Sequence, residues 1–333
     1  MASFKIVLAY DGTDFVGWQR QASGMSIQGL LEDALRALDD RDVTVTAAGR
    51  TDAGVHALGQ VAAFSLARAI DPGTLVRALN ANLPDTVRAL SAAEVPATFN
   101  PRFSARAKTY RYRIWNAPAL SPFERRYAWH VMSALDVDAM AAAARRLEGR
   151  HDFAAFQAAG NDVTTTERTI FSSRLSNRKL STTGDTEDTE EEAFSRTGFN
   201  PGVPRVLRGG EGKEATFSRT GFNVSVPRVL RGGEGKEATF SRTGLNLSVP
   251  RVLRGGEVGG GDLICYEITG DGFLRHMVRA VVGTLVEIGR GRRPVEWIEE
   301  VLASRDRGGA GPTVPAAGLF LVAVDYGEKT VDS

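Results

Sequence analysis

Two short apolar runs bracket a nine-residue segment near the N-terminus, and this arrangement constrains the fold more than any other feature. Val43-Thr44-Val45-Thr46-Ala47 reads as a strand, and so does Val61-Ala62-Ala63-Phe64. Between them lies Gly49-Arg50-Thr51-Asp52-Ala53-Gly54-Val55-His56-Ala57. Glycines at 49 and 54 make it a loop joining two strands, and loops held by a rigid sheet often carry chemistry. Asp52 has a guanidinium two residues away, in Arg50. Such a neighbour favours and orients the ionised carboxylate, and a held carboxylate can act as a nucleophile. A plainer reading stays open, in which Asp52 caps a turn and Arg50 is its solvated partner.

Periodicity extends the pattern. Ser26 is a candidate N-cap, followed by Ile27, Leu30, Leu31, Ala34, Leu35 and Leu38 at helical spacing. Asp71-Pro72 opens a second helix that ends before Pro84. In the second half, Thr109–Trp115 reads as a strand, and Asp136 or Asp138 caps a helix through Ala139 to Leu147. Thr169–Leu175 and Leu263–Ile268 are further strands. A long helix begins near Gly272, with Phe273, Leu274, Met277, Val278, Val281, Val282, Leu285 and Ile288 on its apolar face. Pro294 starts a short helix to about Leu302, and Leu319–Val324 closes the pattern. The expected class is α+β: two similar domains, 1–100 and 101–326, each an antiparallel-rich mixed sheet with helices on one face.

A chain of 333 residues is long enough for two such domains. The one cysteine, Cys265, excludes an internal disulfide and a thiolate metal cluster, and its apolar surroundings suit a buried strand thiol. No apolar run is long enough to span a membrane, and the N-terminus has no signal-peptide pattern, so a cytoplasmic protein is expected. Net charge is only +1, but its distribution is uneven. Arg102, Arg106, Lys108, Arg111 and Arg113 occur without an intervening acid, interleaved with Tyr110 and Tyr112. A second basic cluster runs from Arg275 to Arg293, against Glu287 alone. Basic and aromatic residues on one strand suit phosphate contact with base stacking, although a solvated edge strand would look similar.

Residues 180–260 are different in kind. An acidic run, Asp185 to Glu192, precedes a 23-residue unit that starts at Phe194, Phe217 and Phe240. The first two copies differ only at Pro201/Val224 and Gly202/Ser225. Fixed-period repeats can stack into a solenoid. These have few large apolar side chains, and Gly-Gly interrupts each, so a disordered, low-complexity insertion is the better expectation.

The segment Gly49–Ala57 resembles the signature loop of the tRNA pseudouridine synthase A family. Further blocks agree in order: Tyr10 to Gln21, Asn80 to Pro84, Phe103 to Arg106, Tyr110 to Tyr112, His151 to Phe153, Arg168 to Ile170, Phe273 to Arg279 and Gly318 to Val322. The resemblance covers about Ser3 to Tyr326, and residues 180–260 have no counterpart in the family. It implies the pseudouridine synthase fold, its two domains around a central basic cleft, with isomerisation of uridine to pseudouridine in the tRNA anticodon stem-loop at positions 38, 39 and 40. It also implies a homodimer. Asp52 would be nucleophile or base. Tyr110 would stack on the uracil and could take the C5 proton, and Arg279 would pair with Asp52. Arg50 would support the flipped nucleotide, and Leu319 would line the pocket. Arg106, Lys108 and Arg111 would bind the RNA. The reaction needs no cofactor, and four histidines without ligand spacing argue against a metal. Two competing classes are a catalytically dead RNA-binding module and a hydrolase using Asp52 with His56.

Overall fold

Three side chains capture orphan backbone N–H groups and set helix starts. Ser26 accepts from Gly29 N–H at 3.2 Å and opens α1 (Ile27–Asp39). Asp71 accepts from Thr74 N–H at 3.0 Å and precedes Pro72 at the start of α2 (Pro72–Asn82). Asp136 accepts from Ala139 N–H at 2.9 Å and opens α3 (Val137–Arg145). All three are caps legible in the sequence. The computed structural model describes residues 1–158, 165–179 and 261–327. Two further helices are α4 (Met277–Gly289) and α5 (Trp297–Ser304).

In the first half the strands are β1 (Ala2–Tyr10), β2 (Thr46–Ala47), β3 (His56–Leu66) and β4 (Val87–Val95). The second half adds β5 (Ala107–Asn116), β6 (Trp129–Val131), β7 (Gly149–Asp152), β8 (Glu167–Lys179), β9 (Asp262–Gly270) and β10 (Leu319–Asp325). They form one sheet in the order β4-β1-β3-β10-β5-β9-β8-β7, with β2 beside β3 and β6 beside β5. Only β3–β10 and β5–β6 are parallel. The architecture is α+β, and the sheet is continuous through both halves of the chain. The C-terminal strand β10 lies between β3 and β5 and joins them.

Alternation along the strands buries one face. Phe4, Ile6, Leu8 and Tyr10 of β1, Tyr110, Tyr112 and Ile114 of β5, and Ile264, Tyr266 and Ile268 of β9 are all buried. They belong to one apolar cluster with Leu31 and Leu35 of α1, Leu75 and Leu79 of α2, and Met140 of α3. The intervening strand residues are half-exposed. Cys265 falls in this second set, because the pleat turns it outward, so the expectation of full burial fails.

Helix α4 is apolar almost all round and buried to match, from Met277 to Ile288. Each such side chain contributes about 1.5–3 kcal/mol when removed from water. At Gly283 a Cβ would stand 1.9 Å from the Pro312 carbonyl oxygen. Glycine there lets residues 311–314 cross α4 in direct backbone contact. The helix starts at Met277, not near Gly272, because His276 is left-handed at φ 62° and breaks the helical run. Strand β2 is likewise shorter than the Val43–Ala47 run that suggested it.

Strands β8 and β9 are paired as far as Lys179 opposite Asp262, so the two ends flanking residues 180–260 lie side by side. The described residues all fall in the unit Met1–Thr183 with Glu257–Ser333. The repeats, and the expectation of disorder for them, lie outside the described residues. No helix among the described residues is long and apolar enough to cross a membrane.

Candidate active site

The loop between β2 and β3 is held from beneath by the segment that follows β1. Trp18 N–H donates to the Thr51 carbonyl at 3.0 Å, and Gly54 N–H donates to the Phe15 carbonyl at 3.4 Å. The Tyr10 hydroxyl meets Thr51 Oγ1 at 2.8 Å, and Gln60 Nε2 donates to the Gly49 carbonyl at 2.8 Å. Gly12 lies so close under the loop that a Cβ would stand 2.0 Å from the Val55 carbonyl oxygen. Gly17 has φ 109°, and a Cβ there would press on the Thr51 carbonyl at 2.7 Å. The conformation and the space both require glycine. The Tyr10–Gly17 block thus serves as the bed of the Asp52 loop.

His56 pins the far end of the loop. Its ring is 1% exposed, and Nδ1 accepts from Gly12 N–H at 3.1 Å. Nε2 lies 3.0 Å from the Arg126 carbonyl and 3.1 Å from the Ala317 carbonyl, so it is the protonated nitrogen. The ring stacks on Phe320 at 4.6 Å. Asp11 lies 3.2 Å from Nδ1 and accepts from the Tyr127 hydroxyl at 2.8 Å. Burial pushes the imidazole below its ordinary value, against the opposing pull of Asp11. Burial pushes Asp11 up, but hydrogen bonds from Thr13 and Tyr127, with the His56 charge, bring it below the usual carboxylate range. His56 therefore has no free nitrogen for catalysis, and the hydrolase reading loses its base.

Asp52, about a third exposed, faces the start of α4. Two nitrogens approach its Oδ2: His276 Nε2 at 3.4 Å and Arg279 Nη1 at 3.9 Å. Arg279 is aimed by a second bond, Nε to the Val314 carbonyl at 2.6 Å. Arg307 in turn holds that crossing segment, donating to the Gly311 carbonyl at 2.9 Å and to Thr313 Oγ1 at 2.8 Å. Burial pushes the Arg279 guanidinium below its ordinary value, opposed by Asp52.

Tyr110 is buried on the helix side of the sheet, edge-on to Phe273 at 5.0 Å. Its hydroxyl and Lys108 Cε each lie 3.8 Å from where a Cβ of Gly49 would stand, so both side chains abut the loop. Burial pushes the Tyr110 hydroxyl well above the ordinary tyrosine value, and the charges of Tyr10 and Asp52 add to this. It is a phenol at neutral pH. Burial, with the Arg102 and Arg168 charges, pushes Lys108 below its ordinary value despite Asp271.

Arg279 therefore approaches Asp52, Tyr110 feels its charge, and Tyr110 and Lys108 both abut the loop at Gly49. Other candidates stand elsewhere. Arg50 is exposed, and among the described residues the basic side chains that approach the Asp52 carboxylate are His276 and Arg279. Arg111 occupies the opposite pleat from Tyr110 and pairs with Glu267 at 2.8 Å on the other sheet face. Leu319 is 6% exposed and lies opposite Tyr112 in the sheet, so it forms part of the apolar floor. Arg106 is exposed at the start of β5, its guanidinium packed over Gly327. His276 is the residue sequence reasoning missed, although it sits inside the Phe273–Arg279 block.

A carboxylate, a guanidinium facing it and a buried phenol on the helix side of a mixed sheet are groups suited to nucleophilic or acid–base chemistry. A family model described as tRNA pseudouridine synthase matches residues 6–104 and 143–327. The chain is 36% identical over 326 residues to tRNA pseudouridine synthase A of Myxococcus xanthus, covering 98% of this chain and 92% of the relative. It is 37% identical over 328 residues to the Moorella thermoacetica protein of the same name, covering 98% and 100%. The Solibacter usitatus protein of that name is 36% identical, also over 98% and 100%. The chain belongs to the tRNA pseudouridine synthase family, a family of isomerases.

Proposed function

We propose that this protein converts uridine to pseudouridine in the anticodon stem-loop of tRNA, at positions 38, 39 and 40, with Asp52 as the group that attacks or deprotonates the target nucleotide. The approach of Arg279 to Asp52, with the Tyr110 hydroxyl against the same loop, is the observation that carries this reading. In the reaction the N1–C1′ bond breaks, the uracil turns, and C5 bonds to C1′. C5 then loses its proton and N1 gains one, so atoms and charge balance without a cofactor. The target base must leave its stack to reach Asp52. Arg279 aligns the carboxylate. Tyr110 supplies an apolar stacking edge and a hydroxyl donor. Because it is a phenol at rest, taking the C5 proton requires passing its own proton on, and Asp52 is an anion whose charge it feels. Lys108, with exposed Arg50, Arg106 and Arg275, offers phosphate contacts along the cleft. Arg111, on the opposite sheet face, does not belong to this set.

The same proposal keeps the two-domain division at 1–100 and 101–326, each half giving one wall of the cleft, and a cytoplasmic homodimer. The test is incubation with unmodified tRNA followed by mapping of pseudouridine. Modification confined to positions 38–40 supports the reading. Pseudouridine elsewhere, or none, overturns it. Tight tRNA binding without any pseudouridine would favour the binding-module alternative.

A further inference from the structure

Among the described residues three non-glycine side chains sit at positive φ: Asp40, His276 and Arg305. Asp40 and Arg305 terminate helices, where a left-handed residue is ordinary. His276 is instead at the beginning of a helix and makes no side-chain capping bond there. A left-handed conformation costs a non-glycine residue free energy and persists only where the surroundings enforce it. Here Leu274 and Met277, both buried, pin the chain on either side, and the His276 carbonyl accepts the first helical bond from Ala280 at 2.9 Å. The turn at 276 sends the imidazole to Asp52 Oδ2 at 3.4 Å.

We propose that His276 is a positioning residue for Asp52: its imidazole presents Nε2 to Oδ2, and the left-handed backbone is retained to place it there. This rests on the proposed function above. Arg279 approaches the same oxygen, so the two nitrogens hold Oδ2 and leave Oδ1 to face the nucleotide. Contacts near 3.4 Å tighten when substrate closes a site. The groups that face His276 are Asp52 across the cleft, Arg275 and Arg279 from its own segment, and Arg307 from the neighbouring loop. Burial pushes the imidazole below its ordinary value, and the charges of Arg279, Arg275 and Arg307 act in the same direction against the pull of Asp52. The ring is therefore neutral at neutral pH. When it protonates on acidification, it becomes a second cation on Oδ2 and withdraws charge from the attacking oxygen.

Two variants test this, His276→Gly and His276→Gln, with kcat, KM for tRNA, pH profile and melting temperature measured on each. Glycine removes the imidazole and suits the backbone, so the melting temperature should stay level or rise. Its kcat should fall at least about tenfold with KM nearly unchanged, as loss of orientation predicts. Glutamine restores a donor at comparable reach without a titrating ring. It should recover much of kcat and show an acid limb shifted to lower pH than that of wild type, set by Asp52 alone. A glycine variant with wild-type kcat overturns the inference. So does one that melts lower, because the imidazole would then be only a packing element. A glutamine variant no better than glycine, or one that keeps the wild-type acid limb, overturns it too. Absence of pseudouridine with wild-type enzyme is a separate result, and it removes the functional reading on which the inference depends.

Discussion

Replacing Gly12 by alanine places one methyl group against the floor of the Asp52 loop. The added carbon would lie 2.0 Å from the Val55 oxygen and 2.5 Å from its carbonyl carbon, where real Cβ contacts stay beyond 3.0 Å. Val55 must therefore retreat by about 1 Å, since backbone atoms cannot rotate aside as a flexible side chain would. The displacement has no slack to disappear into. Val55 N–H is bonded to the Asp52 carbonyl at 3.1 Å, and Gly12 N–H is bonded to His56 Nδ1 at 3.1 Å. Asp52 should move with Val55. A misplacement of ~1 Å in a catalytic group can cost ~10²-fold in rate, or about 2.7 kcal/mol of barrier. Overpacking of this kind costs ~1–3 kcal/mol of stability, which lowers the melting temperature by several degrees. Single-turnover pseudouridine formation, with a thermal melt as control, measures both. A Gly12→Ala variant with kcat within about threefold of wild type would refute the reasoning, because the loop would then not be placed by this contact.

Tyr110→Phe keeps the ring and removes the hydroxyl; kcat should fall ~10²-fold with tRNA affinity little changed, and an unchanged kcat would leave Tyr110 as a stacking surface alone. Burial holds His56 below its ordinary 6.5, so between that lowered value and 6.5 the unfolded chain binds more protons than the folded one. Its contribution is therefore present above about pH 6.5 and is lost as pH falls through the folded value. Melts of wild type and His56→Gln across that window should show the steeper acid loss in wild type, and parallel curves would remove His56 as the cause. Deleting about residues 182–259 and joining the ends with a short turn should leave folding and activity intact. Strands β8 and β9 already meet at Lys179 and Asp262, and loop closure grows more favourable as the loop shortens. Loss of activity in a folded deletion variant would make the repeats a working part.

The helix starts were legible because capping is local chemistry: Ser26, Asp71 and Asp136 each act three residues down the chain. The Asp52 loop was legible because glycines and flanking strands mark it within twenty residues. Arg111 stands on the opposite sheet face from Tyr110, and the sequence held that answer. Counting charges along β5 ignored parity, and a strand turns residue 111 away from residue 110. The left-handed turn at His276 was not legible. Apolar residues at 274, 277 and 278 keep helical spacing straight through the break, so periodicity extends the helix to Gly272. Nor was the clamp on His56, whose partners Arg126 and Ala317 lie 70 and 261 residues away. The insertion of β10 between β3 and β5 is equally non-local, and nothing in the apolar run at Leu319–Val324 specifies its neighbours.

The central claim is that the Asp52 carboxylate performs the chemistry in a cleft the rest of the fold holds open. Asp52→Asn tests it most directly, because it keeps the size and hydrogen-bonding capacity of the side chain and removes the anion. The measurement is tritium release from tRNA labelled at C5 of uridine, read beside tRNA affinity and melting temperature. The account predicts no release above background, affinity within a few-fold of wild type and an unchanged melt. Sustained turnover by the purified Asn variant would contradict it, and the reacting group would have to be sought elsewhere in the cleft.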